Sequence, residues 1–119
     1  MRIYGLHHVQ VSIPPGGEPE ARRFYSDLLG LAEVDKPASL ADRGGVWFTC
    51  GDQQLHCGVE PAVARSRRHP ALLTDDVETL RARLVAGGVP IVDDRQIPGF
   101  RRFYADDPFG NRIELLQPD

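Results

Sequence analysis

"DPFGNRIELL", residues 107–116, decides how the chain is read. "DPFG" is a strong turn signal, because proline presets one backbone angle and glycine supplies the conformations a tight turn demands. The residues after it alternate as a strand, with Ile113 and Leu115 on one face and Arg112, Glu114 and Leu116 on the other. "GFRRFYAD" (99–106) lies just before the turn and reads as the partner strand.

Moving outward, "VPIVD" (89–93) is another strand. "DDVETLRARLVAGG" (75–88) is a helix with an acidic start, a double-glycine stop and Val77, Leu80, Leu84 and Val85 on one face. "HPALLT" (69–74) is a strand. The first half has the same order. A strand over residues 4–13 is broken by "PPGG", and "EPEARRFYSDLLG" (18–30) forms a helix through Ala21, Phe24, Tyr25, Leu28 and Leu29. "LAEVD" is a short strand, "KPASLADRGG" a loop, and "VWFTC" and "QQLHCGV" two strands joined by "GDQ". Each half reads strand, helix, strand, strand, strand, so an internal duplication is the simplest account. The expected architecture is α+β: one domain over residues 1–119 made of two βαβββ modules, 1–60 and 61–119, with "EPAVARSRR" as the linker.

Composition narrows the function. With 119 residues the chain suits one compact domain that needs no staples. A formal net charge of −3 argues against a nucleic-acid-binding domain. No segment is long and apolar enough to span a membrane, and "MRIYGLHHVQ" lacks a signal-peptide core, so a cytoplasmic protein is expected. Cys50 and Cys57 form no C-x-x-C pair and are expected to be free thiols.

The polar side chains carry the chemistry. In "GLHHVQVSI" (5–13), His8 shares a face with Gln10 and Ser12, opposite Val9, Val11 and Ile13, while His7 goes with the valines. In "QQLHCGV", His56 sits with Gln54 and Gly58, opposite Leu55, Cys57 and Val59. His8 and His56 are 48 residues apart, and His69 and Glu114 are 45 apart. In a duplicated fold these four occupy equivalent strand positions. Three imidazoles and a carboxylate suit zinc, iron, nickel, cobalt or manganese. Read singly, each has a plainer role: a strand histidine is more often structural, Glu114 could be solvated, and Trp47 and Tyr104 could simply pack. Arg67, Arg68, Arg101 and Arg102 read as a solvated rim able to attract an anion. The matched positions in a repeat outweigh those readings.

The pieces "LHHVQVSI", "ARRFYSDLLGL", "GGVWFTCGDQQLHCGV", "HPALLTDDVETLRARL" and "FYADDPFGNRIELLQ" together resemble the vicinal oxygen chelate superfamily, which includes glyoxalase I, methylmalonyl-CoA epimerase, extradiol dioxygenases and the bleomycin and fosfomycin resistance proteins. The resemblance implies two βαβββ modules whose curved sheets form a metal-centred cavity, with ligands from the first and last strands of each module. Matched position by position, those ligands are His8, His56, His69 and Glu114. Gln10, Trp47, Arg102 and Tyr104 are the residues expected to meet the substrate. The resemblance further implies a homodimer, in some members with one site drawing on both chains. The expected activity is a divalent-metal-dependent lyase or isomerase. It would act on a small substrate that chelates the metal through adjacent oxygens, via an enediolate-like intermediate, with Glu114 as the catalytic base. One alternative is an extradiol-type iron(II) dioxygenase using His8, His69 and Glu114. The other is a non-catalytic ligand-binding protein of the bleomycin-resistance kind.

Overall fold

The computed structural model describes residues 1–119. It divides into two compact units, Met1–Val63 and Ala64–Asp119. Each holds one open, mixed four-stranded sheet, which makes the fold α+β.

In the first unit the strands are β1 (His8–Ile13), β2 (Glu33–Val34), β3 (Val46–Cys50) and β4 (Gln53–Val59), ordered β1-β4-β3-β2 across the sheet. β1 runs parallel to β4, with His8 opposite Gln54 and Gln10 opposite His56, and the other pairs are antiparallel. Parallel neighbours need a long crossover, and here it contains helix α1 (Glu18–Ala21) and its continuation. The expected single helix over 18–30 changes pitch partway. After Ala21 it widens into a π-helix over Arg22–Leu28, seen in the bond from the Leu29 N–H to the Phe24 carbonyl at 3.0 Å. Ala21, Phe24 and Tyr25 all remain buried, and Gly30 ends the segment at φ 79°. Tyr25 packs on Phe48, and Ile13, Val46, Leu55 and Cys57 complete this core. The loop expected at 36–45 contains a 3-10 helix, Ala38–Arg43.

The first strand is shorter than expected. Residues before His8 stay outside the sheet, and Met1, Ile3, Tyr4 and Leu6 are exposed. His7, expected to share the valine face, is also exposed. It meets β4 through its carbonyl, which accepts from the Gln54 N–H at 3.1 Å.

The second unit has β5 (Ala71–Leu73), α2 (Val77–Ala86), β6 (Ile91–Val92), β7 (Phe100–Asp106) and β8 (Arg112–Pro118), with sheet order β5-β8-β7-β6. β5 and β8 are parallel, with Ala71 opposite Glu114, and β7 and β8 are antiparallel, with Tyr104 opposite Glu114. Asp76 caps α2 by accepting from the Thr79 N–H at 3.0 Å and the Thr79 hydroxyl at 2.7 Å. Of its expected inward face, Val77 and Leu84 are buried, Leu80 is half-buried and Val85 is exposed. Val77 and Leu84 are separated by two turns and so share one line along the helix, whereas Val85 lies a residue round from it. Phe103, Ala105, Ile113 and Leu115 supply the rest of this core. Neither Cys50 nor Cys57 forms a disulfide, and no helix is long and apolar enough to cross a membrane.

The turn that opened the reading is built around a buried carboxylate. Asp107 Oδ1 accepts from the Phe109 N–H at 2.9 Å and the Asn111 N–H at 2.8 Å, while Oδ2 accepts from Asn111 Nδ2 at 2.7 Å. Gly110 takes φ 91°, a conformation that only glycine adopts freely. Asp107→Ala would strand these donors in a site where Asp107 is only 4% exposed. We expect a loss of about 2–3 kcal/mol in urea denaturation, with Asp107→Asn losing less because its carbonyl still accepts.

Candidate functional site

Each unit brings its two candidate donors together. In the first, parallel pairing sets His8 diagonally beside His56, and antiparallel pairing sets Trp47 directly opposite it. The result is a three-ring stack. The His8 and His56 centroids are 4.1 Å apart at 16°, and those of Trp47 and His56 are 3.8 Å apart at 1°. His56 is buried, its Nε2 lying 2.8 Å from Gln54 Oε1. An amide oxygen only accepts, so Nε2 carries the ring proton and Nδ1 keeps the lone pair. His8 is exposed, and its Nδ1 lies 3.0 Å from Nδ1 of His7. Gln10 also lies on this face. Its amide crosses β4 where Gly58 leaves room, since a Cβ at Gly58 would fall 2.3 Å from Gln10 Nε2.

Burial, together with the neighbouring charges of His8 and His7, lowers the His56 pKa from 6.5 to about 4. His56 is therefore a neutral imidazole at physiological pH, the form that binds metals. Between those two pH values the unfolded chain takes up a proton that the folded chain refuses, so acid favours unfolding. In metal-free buffer we expect stability to fall by on the order of 3 kcal/mol as pH drops from 6.5 to 4, and His56→Gln to flatten that slope. Urea denaturation across this range checks both.

In the second unit, His69 Nδ1 lies 2.8 Å from the Arg67 carbonyl and Nε2 lies 3.2 Å from Glu114 Oε1. The carbonyl can only accept, so Nδ1 carries a proton. A neutral His69 would then point the Nε2 lone pair at a carboxylate oxygen. Two acceptors face each other at that distance only with a cation between them, whether a proton or a metal ion. A histidine whose far nitrogen donates to a backbone carbonyl is the usual arrangement of a metal ligand. Glu114 is 6% exposed and also lies 3.5 Å from Arg102 Nη1. That guanidinium donates to the Tyr104 hydroxyl at 2.7 Å and to the Arg95 carbonyl at 3.0 Å. The Tyr104 ring meets His69 edge-on at 5.2 Å and carries Arg112 over its face at 3.7 Å. Arg102, one of four rim arginines by residue type and the one among them expected to meet the substrate, has a side chain 9% exposed that touches the carboxylate.

The donor chemistry fits a divalent metal in two halves: two imidazoles in the first unit, an imidazole and a carboxylate in the second. No group of three or more His, Cys, Asp or Glu side chains is assembled. Two contributors went unnoticed in the sequence, Lys36 and Arg43 on the 36–45 loop, which line the cleft that also holds His8 and His56. Gln54 was legible by parity, two residues from His56. The cleft depends on how the loop folds.

Comparison with known proteins gives the family and supports the fold. Residues 5–115 match the model of the Glyoxalase/Bleomycin resistance protein/Dioxygenase superfamily. The chain belongs to that superfamily. A glyoxalase family protein from Bacillus anthracis shares 43% identity over 100% of both chains, with a TM-score of 0.92. An antibiotic binding protein from a Streptomyces species shares 26% identity over 100% of this chain and 99% of its own, with a TM-score of 0.77. A lactoylglutathione lyase from Agrobacterium tumefaciens shares 22% identity over 98% and 96%, with a TM-score of 0.76, a likeness of fold. No curated protein matches the chain in sequence. This superfamily member therefore has relatives of quite different kinds on one fold, and its chemistry must be argued from its own side chains.

Proposed function

We propose that the protein is a divalent-metal-dependent lyase or isomerase for a small substrate with two adjacent oxygens. The observation that carries this reading is the His69–Glu114 contact at 3.2 Å, where an imidazole whose far nitrogen donates to the Arg67 carbonyl meets a buried carboxylate. His8, His56, His69 and Glu114 would hold the ion. When bound, the ion supplies Lewis acidity toward adjacent substrate oxygens. Glu114 takes the proton next to the substrate carbonyl and returns it to the neighbouring carbon. Arg102 and His69 hold its Oε1 from two sides, so the carboxylate stays oriented as it gains and loses that proton. The Tyr104 hydroxyl, fixed by Arg102, presents a polar group beside it. In the first unit Trp47 covers one face of His56.

A second reading is favoured by His56 itself. Both faces of its ring are covered and its Nε2 is engaged by Gln54. If His56 serves only to pack, the donors reduce to His8, His69 and Glu114, a set suited to iron(II) and oxygen chemistry.

Metal uptake by chelator-stripped protein, followed by calorimetry and elemental analysis, tests the proposal. Glu114→Gln should lose metal affinity on the order of 100-fold and all proton exchange next to the carbonyl. His56→Ala should lose a comparable factor on the four-donor reading. Unchanged affinity, with oxygen consumed in the presence of catechol, would establish the three-donor reading instead. Absence of metal uptake by the native protein would leave a binding role without metal chemistry.

A further inference from the structure

We propose that the first-unit cleft is an oxyanion site, and that the molecule it takes is a small carboxylate or phosphate. The cleft holds about 380 Å³, a volume suited to a small molecule. Lys36, Arg43, Gln10, Trp47, His8 and His56 line it, and no aspartate or glutamate does. Two cations therefore face a ligand space without a carboxylate to neutralise them. Neither forms an ion pair elsewhere: the six ion pairs of the chain involve Arg22, Arg65, His69, Arg81 and Arg102 as their cations. Glu18 is near this loop, where its Oε1 accepts from the Gly45 N–H at 3.2 Å, but it forms no ion pair with Lys36 or Arg43.

The loop is held in place. Lys36 Nζ donates to the Gly44 carbonyl at 2.6 Å and closes the 36–45 segment on itself, which leaves its charge unneutralised. Gly45, at φ 82°, lies so close to β4 that an added Cβ would fall 2.3 Å from the Cys57 carbonyl oxygen. The base of the loop is thereby pinned to the strand that carries His56, and the two cations belong to the same cleft wall as the ring stack. His56 adds a polar ring and Trp47 a flat apolar wall. An anionic group held by Lys36 and Arg43 would leave the remainder of a small molecule beside His8 and His56. The proposal rests on the metal-centre reading only for that last placement, since anion binding itself needs no metal.

The test uses the full chain after chelator treatment, titrated with pyruvate, inorganic phosphate and the uncharged ester methyl pyruvate. Calorimetry gives affinity, and the NMR signal of the indole N–H reports the location, because Trp47 is the single tryptophan. Saturable binding of either anion should move that signal and weaken in about 0.5 M salt. It should fall by about tenfold or more in Lys36→Gln/Arg43→Gln and recover in Lys36→Arg/Arg43→Lys. Binding of pyruvate alone assigns a carboxylate, phosphate alone a phosphate, and both the shared oxyanion chemistry. No saturable binding, equal binding of methyl pyruvate, or an unchanged double glutamine variant overturns the proposal. Its failure is separable from that of the metal centre: anion binding without metal uptake sinks only the latter, and metal uptake without anion binding sinks only the former.

Discussion

The parallel pairing of the first and last strand in each unit is the constraint on which the site depends. Because side chains alternate, a register in which His8 faces Gln54 and Gln10 faces His56 leaves both imidazoles on the same side, one step apart along the diagonal. A slip of one residue would send His56 into the core and Cys57 out of it. Leu55 and Cys57 behind the sheet forbid that slip, since both are buried against the helix layer. The same logic in the second unit sets Glu114 between Ala71 and Tyr104. The apolar face therefore determines where the polar face places its donors.

The two halves differ in electrostatics despite their shared topology. The first gathers aromatic rings and keeps its central histidine neutral by burial and by neighbouring imidazoles. The second gathers opposite charges around one carboxylate, with His69 and Arg102 on the same oxygen. A neutral donor pair and an anionic one are complementary contributions to a divalent site, because too many carboxylates would draw hard cations and too few would leave charge unbalanced. The 36–45 loop brings Lys36 and Arg43 to the first unit's cleft, where an anionic ligand group would sit, while the carboxylate suited to proton transfer lies in the second unit.

Much of this was legible in order along the chain. The strand–helix–strand–strand–strand repeat, the turn at Asp107 and the alternation in β1, β4 and β8 are local features, and local chemistry writes them. Less legible were the pitch change after Ala21, the early end of β1 at His8 and the exposure of Val85. Each depends on packing: a widened helix places Phe24 and Tyr25 inward together, and residues without a partner strand do not extend a sheet. Arg102 was indistinguishable by composition from Arg101 beside it. Alternation on β7 separates them, and only the fold shows that Arg102 lies on the side of Glu114.

The sequence by itself determined the module order, the inward and outward faces of the strands and which side chains are able to bind a metal. These follow from period-two alternation and from turn chemistry, both of which act between near neighbours. The tertiary structure alone decided which nitrogen of His56 is free, which oxygens meet the two nitrogens of His69, that Trp47 covers His56, and that Lys36 and Arg43 share a cleft with His8 and His56. Those depend on contacts between residues distant in the chain. A histidine's tautomer is set by whichever oxygen the fold brings to its ring, and a loop's charge matters only where the backbone carries it.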